Sequence, residues 1–260
     1  MAVVKVAVIF FINKIYFMCT VVFMPGSNKY YFASLRDEDP KRAKATTPIL
    51  QADNNVMYLS PVDPVGGGTW IGVNEKGHVI ILLNGGFEKH TDSGPYLKSR
   101  GIIVKELLTS AMPVVDWMLM DMENIEPCTL VVWADNNLFE LVWDGTEKHR
   151  IRLAMDTPYL WSSSTLYNNK IKIYRRELFE NWMATNPSIS KKALFDFFNS
   201  FTDDENGFIM NRSERIKTLS YSFVELTDNE AAVMEYLDFQ NLTDKTAAIT
   251  VKKNAAACLF

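Results

Sequence analysis

The chain has few of the residues that build metal centres and covalent frameworks: three cysteines and three histidines in 260 residues. Cys19, Cys128 and Cys258 lie far apart and form no C-x-x-C pair, which excludes a zinc ribbon and a disulfide-stapled mini-domain. His78, His90 and His149 show neither an i,i+4 pair nor H-E-x-x-H, so no metal site is expected, with an all-carboxylate one left open. Surplus positive charge is also missing. The 27 Lys and Arg residues against 31 Asp and Glu leave a net charge of -4, without the basic face that nucleic-acid binding needs. No apolar run reaches the roughly 20 residues that cross a bilayer. Residues 3–17 come nearest but are broken by Lys5, Asn13 and Lys14, so no stable membrane insertion is expected.

What remains is a globular composition, 48% hydrophobic and 22% charged, with no repeat, low-complexity tract or linker after residue 17. One domain over residues 18–260 is the simplest reading. Residues 1–17 admit three: a misassigned start with Met18 as the real one, a weak secretory signal, or an extra strand or cleaved propeptide. The first implies a cytoplasmic protein and the second a secreted or periplasmic one. Nothing in the sequence sets the oligomeric state.

Alternating and β-branched runs predict strands over residues 20–24 and 30–35, 56–59, 69–73 and 78–83, with a Gly77 turn closing the last hairpin. Helical spacing follows from residue 102, with a break at Pro113 before the segment to Met122. Strands over 129–133, 138–143 and 149–153 form a meander. Helices over 171–183 and 190–201, then strands over 217–225, 232–237 and 247–251, complete the chain. Residues 39–48 read as a charged surface loop, and Arg175-Arg176 as a solvated helix face. Hairpin connections without regular βαβ alternation fit an α+β fold of two antiparallel sheets between helix layers, and not a doubly wound parallel sheet.

Four stretches could carry chemistry. Cys19 directly follows Met18; removal of that methionine would make it amino-terminal, joining a thiol nucleophile to an α-amine base in one residue. As an internal residue it reads as a small buried strand side chain. Arg36-Asp37-Glu38 ends the neighbouring strand, where an arginine could lower the thiol pKa and a carboxylate could hold the α-ammonium, or where the three simply open a loop. Gly66-Gly67-Gly68-Thr69-Trp70-Ile71-Gly72 has neither the Walker A nor the dinucleotide-loop pattern, so no cofactor is indicated. It is either a tight lead-in to a strand whose backbone passes close to something, or the wall of a small site. Asn84-Gly85-Gly86 offers an amide donor for an oxyanion, or a turn. Ser99 is placed to cap the first helix, and Trp161-Ser162-Ser163-Ser164 is a loop near the site or a polar turn.

Met-Cys-Thr-Val-Val-Phe, Arg-Asp-Glu, Gly-Gly-Thr-Trp-Ile-Gly, the Asn84 strand end and Ser-Arg-Gly before a helix stand here in the order seen in the NRDE family. That family includes the eukaryotic transport-and-Golgi-organisation proteins, and the chain resembles it by motif over residues 18–110 and by element order beyond. The resemblance implies a four-layer αββα sandwich like the N-terminal-nucleophile (Ntn) hydrolases, distantly similar to cysteine amidohydrolases. By it Cys19 would be the nucleophile and Asn84 an oxyanion donor, with Arg36 and either Asp37 or Glu38 as charged support. Gly67, Gly68, Thr69, Trp70, Ser163 and Lys217 would contact the substrate. Departures are visible: Leu35 replaces the first Asn of the family motif, serines stand near Trp161 where relatives place an Asn, and Lys217 stands where they have an arginine.

Two functions follow as expectations: a cysteine hydrolase of a linear amide or ester, or a non-catalytic binding or trafficking protein for haem or an acyl-lipid. In the second, the Met-rich segment 117–122 would line an apolar pocket, although a helix core suits it better.

Overall fold

A computed structural model describes residues 18–252 except 92, 93, 187–189, 202, 214, 228 and 229, and excepting the Met18 side chain. The three readings of residues 1–17 lie outside the described residues. Two seven-stranded sheets, antiparallel at every pairing described, form the centre. The first contains β1 (Met18–Gly26), β2 (Lys29–Glu38), β10 (Tyr159–Ser162), β11 (Asn211–Arg212), β12 (Ile216–Thr227), β13 (Ala231–Asp238) and β14 (Thr243–Thr250). Its order is β10-β1-β2-β12-β13-β14, with β11 on β12. The second runs in chain order through β3 (Ile49–Asp53), β4 (Val56–Ser60), β5 (Ile71–Asn74), β6 (Val79–Asn84), β7 (Cys128–Ala134), β8 (Asn137–Trp143) and β9 (Lys148–Leu153). Helices α1 (Arg100–Leu108) and α2 (Pro113–Leu119) cover its outer face, while α3 (Asn169–Thr185) and α4 (Lys191–Ser200) cover the outer face of the first. The result is a four-layer αββα sandwich.

The period-2 alternation of β1 divides the layers. Cys19, Val21 and Phe23 point between the sheets, and Val22 and Met24 point to the helices. Trp133 of the second sheet packs against Phe23, Tyr30 and Phe32 of the first, its ring 4.1 Å from that of Tyr30, which fixes how the sheets face one another. Buried apolar surface of this kind supplies most of the stabilisation, at about 25 cal/mol per Å² removed from water.

Some elements differ from expectation. β3 was not predicted: it is a largely exposed edge strand, so no buried face imposes an apolar alternation on it. β10 occupies part of the stretch read as a loop or turn at Trp161-Ser162; pairing with β1 makes it a strand. The first helix stops at Leu108 and the second begins on Pro113, whose missing N–H costs nothing in a first turn. Ser99 does cap α1, its Oγ accepting from the Gly101 N–H. Arg175 is not on a solvated face. It is 1% exposed, because the helix puts it one turn from buried Phe179 on the side that meets the sheet.

Candidate functional site

The β1–β2 hairpin sets the site. Its register places Cys19 opposite Arg36 and residue 18 opposite Asp37, so consecutive members of Arg36-Asp37-Glu38 serve opposite faces of one sheet. Between the sheets, a cavity of about 500 Å³ is lined by Cys19, Arg36, Glu38, Gly68, Thr69, Trp70 and Asn84. Arg42, Asp63, Arg100 and Glu126 complete its charged wall. Four acid–base side chains form one network here. Arg36 Nη2 lies 3.2 Å from Glu38 Oε2 and 3.4 Å from Asp63 Oδ2. Arg42 reaches Asp63 Oδ2 at 2.8 Å and Glu38 Oε2 at 3.4 Å. The Arg36 guanidinium also stacks 4.5 Å from the centre of the Trp70 ring.

Burial pushes Glu38 up to about 7, with Arg36 and Arg42 working against the shift. Burial pulls Asp63 the same way, but hydrogen bonds and charge from Arg42, helped by Arg36, hold it below the usual carboxylate range. The Cys19 thiol is pushed up to about 12, first by burial and then by Asp37, against the pull of Arg36 and Ser34. As an internal residue Cys19 is therefore a protonated, unreactive thiol at neutral pH.

Behind the sheet a second cluster is closed to solvent. Arg175 donates to Ser162 Oγ at 3.0 Å, Tyr167 Oη at 3.0 Å, Thr20 Oγ1 at 2.6 Å and the carbonyls of Asn206 and Gly207 at 2.8 and 2.6 Å. Its guanidinium lies between the rings of Tyr167 and Phe208, at 4.2 and 4.3 Å. The Asp37 carboxylate belongs to this side: Oδ1 accepts from Thr218 Oγ1 at 2.6 Å, and Oδ2 is buried with no hydrogen-bond partner among the described residues. Burial raises Asp37 to about 7, although Thr218, Arg175 and Arg212 oppose the shift. Its strand position borders the Cys19 cavity at the end where β1 begins.

The glycine run is a close approach. A Cβ on Gly68 would stand 2.2 Å from the Gly101 carbonyl carbon, and Thr69 N–H donates to Gly101 O at 3.1 Å. What the backbone passes is the first turn of α1. Gly67, with φ +66°, closes the turn from Asp63, its N–H donating to Asp63 O at 2.8 Å, and does not line the cavity. Asn84 ends β6 between the Cys19 cavity and a second one of about 440 Å³ lined by Tyr159, Trp161 and Lys172. Ser163 lies on the second cavity. Its Oγ donates to Asn84 O at 2.5 Å and its N–H to Cys19 O at 3.3 Å, so it ties the two strand ends together from behind. Lys217 pairs with Glu38 along β12 and is not among the residues lining the Cys19 cavity. Within residues 117–122, Trp117 is buried in the core and Met118 and Leu119 face outward, while Met120 and Met122 line a cavity of about 750 Å³ whose wall also carries Asp121, Glu123, Asp144 and Lys148. No described helix is long and apolar enough to cross a membrane.

Sequence reasoning missed Arg42, Asp63, Arg100, Glu126 and Arg175. Arg42 sits in a segment that reads as surface loop, and Asp63 lies between two prolines. Arg175 carried a usable signal, a cation spaced i,i+4 from Phe179 on an otherwise apolar stripe.

The structure is similar to an arginine-to-leucine variant of conjugated bile acid hydrolase from Clostridium perfringens, with a TM-score of 0.55 and 10% identity over 91% of this chain and 97% of that one. It is also similar to the Caenorhabditis elegans N-acylethanolamine-hydrolyzing acid amidase orthologue, with a TM-score of 0.55 and 11% identity over 81% and 93% of the two chains. At such identity the likeness shows a shared Ntn-hydrolase fold. No curated protein matches the chain in sequence. Residues 18–258, a span that contains all of the described structure, match the Transport and Golgi organisation 2 family, and the chain belongs to that family.

Proposed function

We propose that the protein is a cysteine amide hydrolase in which Cys19, once amino-terminal, is the nucleophile. The observation that carries the reading is the shared cavity: Cys19, Arg36, Glu38 and Asn84 come from three strands of two sheets and line one space of about 500 Å³. The Ntn-hydrolase fold supports it, as does a family match that begins one residue before Cys19. Its likenesses include hydrolases of a conjugated bile acid and an N-acylethanolamine, both linear amides, and a linear amide or ester is the substrate class proposed here.

Cleavage between residues 18 and 19 would leave an α-amine at the strand position beside Asp37. The unpartnered Asp37 Oδ2 is the acceptor that an α-ammonium needs, which favours Asp37 over Glu38 for that role. The α-amine takes the thiol proton, and the resulting thiolate attacks the substrate carbonyl carbon. The Asn84 side-chain amide donates to the oxyanion, and Ser163 fixes its backbone from behind. Collapse of the tetrahedral intermediate expels the amine, which leaves with the proton. Water then hydrolyses the Cys19 thioester. Arg36 presents positive charge beside the thiolate, with Glu38 and Asp63 holding it in place.

The test is turnover of a panel of N-acyl amino acids and N-acylethanolamines by protein whose amino terminus has been established by mass. Cys19→Ala should abolish hydrolysis while leaving the melting temperature in place. Hydrolysis retained in that variant would remove Cys19 from the chemistry and leave a binding scaffold.

A further inference from the structure

A row of buried hydroxyls runs across the first sheet from Cys19. Ser34 is opposite Val21 and therefore diagonal to Cys19, on the same face. Ser222 is directly opposite Ser34, Tyr236 is opposite Ser222, and Ser220 is opposite Arg36. All four face the space between the sheets, and the three serines are 0–1% exposed. None of the three serine hydroxyls has a regular hydrogen bond among the described residues. Three buried threonines near the site are engaged: Thr20 accepts from Arg175, Thr69 donates to Ile71 O, and Thr218 donates to Asp37. Burying a hydroxyl without a partner costs stability, and alanine would fill a strand position of this size without that cost. Three such serines on adjacent strands beside one thiol call for a role.

We propose that Ser34, backed by Ser222, is a positioning residue that turns its hydroxyl onto the Cys19 sulfur when the thiolate forms. A hydroxyl proton rotates freely about its C–O bond. Because no main-chain acceptor holds these protons, Ser34 donates to Sγ without breaking an existing bond, and Ser222 turns in behind Ser34. The donor is thus in place before charge develops, which is where a hydrogen bond contributes most to a reaction. No proton leaves the row: the thiol proton goes to the α-amine, and the serine O–H bonds stay intact. With Cys19 internal, Ser34 already acts in the direction of the ionised thiol, against the larger effects of burial and Asp37. Tyr236 extends the row, with Ser220 beside its phenol acting to lower a pKa that burial raises.

This inference rests on Cys19 as the nucleophile, but its test uses no substrate, so the two fail separately. The measurement, made on protein beginning at Cys19, is the alkylation rate of that thiol by iodoacetamide against pH, with the modified residue mapped by mass. Cys128, also buried but away from the row, serves as internal reference. In Ser34→Ala the reactivity midpoint should move to higher pH and the rate at neutral pH should fall roughly tenfold, the size of a lost hydrogen bond to a charged group. Melting temperature should be unchanged or raised, and Ser34→Thr should restore part of the rate. Ser222→Ala should shift the midpoint the same way by less. A native pH profile in both alanine variants would overturn the proposal, as would Cys19 reacting no faster than Cys128 in the native protein.

Discussion

The two faces of the β1–β2 hairpin carry the same kinds of residue and treat them in opposite ways. Toward the second sheet, Arg36 and Arg42 share Glu38 and Asp63 in a network that borders an open cavity. Toward α3, Arg175 has no carboxylate at hydrogen-bonding distance among the described residues and instead spreads its donors over hydroxyls and carbonyls in a closed pocket. A paired guanidinium at a cavity wall stays available to a ligand, whereas a guanidinium with its donors engaged in the interior is part of the frame. Asp37 lies on the closed side with one oxygen unpartnered among the described residues, and it is there that an α-amine at Cys19 would join the two clusters.

The sharpest separation comes from paired substitutions. On the cavity side Cys19→Ala should remove all turnover and little stability. On the closed side Arg175→Met leaves Thr20, Ser162, Tyr167 and two carbonyls without their donor, and urea unfolding should show a large loss, at about 1–3 kcal/mol for each buried acceptor left unsatisfied. A variant as stable as the parent would mean that Arg175 does not hold β1 to α3.

Next in size is a pH effect. Asp37 and Glu38 both have folded pKa values raised to about 7, above their ordinary values. Each therefore binds its proton more tightly folded than unfolded, so its stabilising contribution is complete below about pH 4 and is lost as pH rises through 7. With residue 18 still attached, the melting temperature should fall between pH 5 and 8, and Asp37→Asn should flatten that slope. Release of the Cys19 amine should flatten it too, since an ammonium beside Asp37 lowers its pKa. An unaltered slope after cleavage would place the amine away from Asp37. The smallest effect is the control: Arg176→Ala, on the exposed side of α3, should leave melting temperature unchanged, in contrast to its neighbour Arg175.

The layer order was legible because hairpin signals and apolar alternation are local, and antiparallel pairing between chain neighbours follows from them. Cys19, Arg36 and Asn84 were legible as an ordered set of motifs. The carboxylate ambiguity was not resolvable from spacing alone: Asp37 and Glu38 differ by one residue, and one residue in a strand is a change of face. Arg42 and Asp63 were missed because their meeting depends on how a loop returns over a strand. The glycine run announced a close approach without naming what approached it, since Gly101 is more than thirty residues away in the chain.

The most direct test sets the protein beginning at Cys19 beside the same protein retaining residue 18, each given a panel of linear N-acyl amides. The form beginning at Cys19 should turn over and accumulate a thioester on Cys19 visible by mass, and the longer form should do neither. Equal hydrolysis by both forms, or a covalent intermediate on any other residue, would contradict the account.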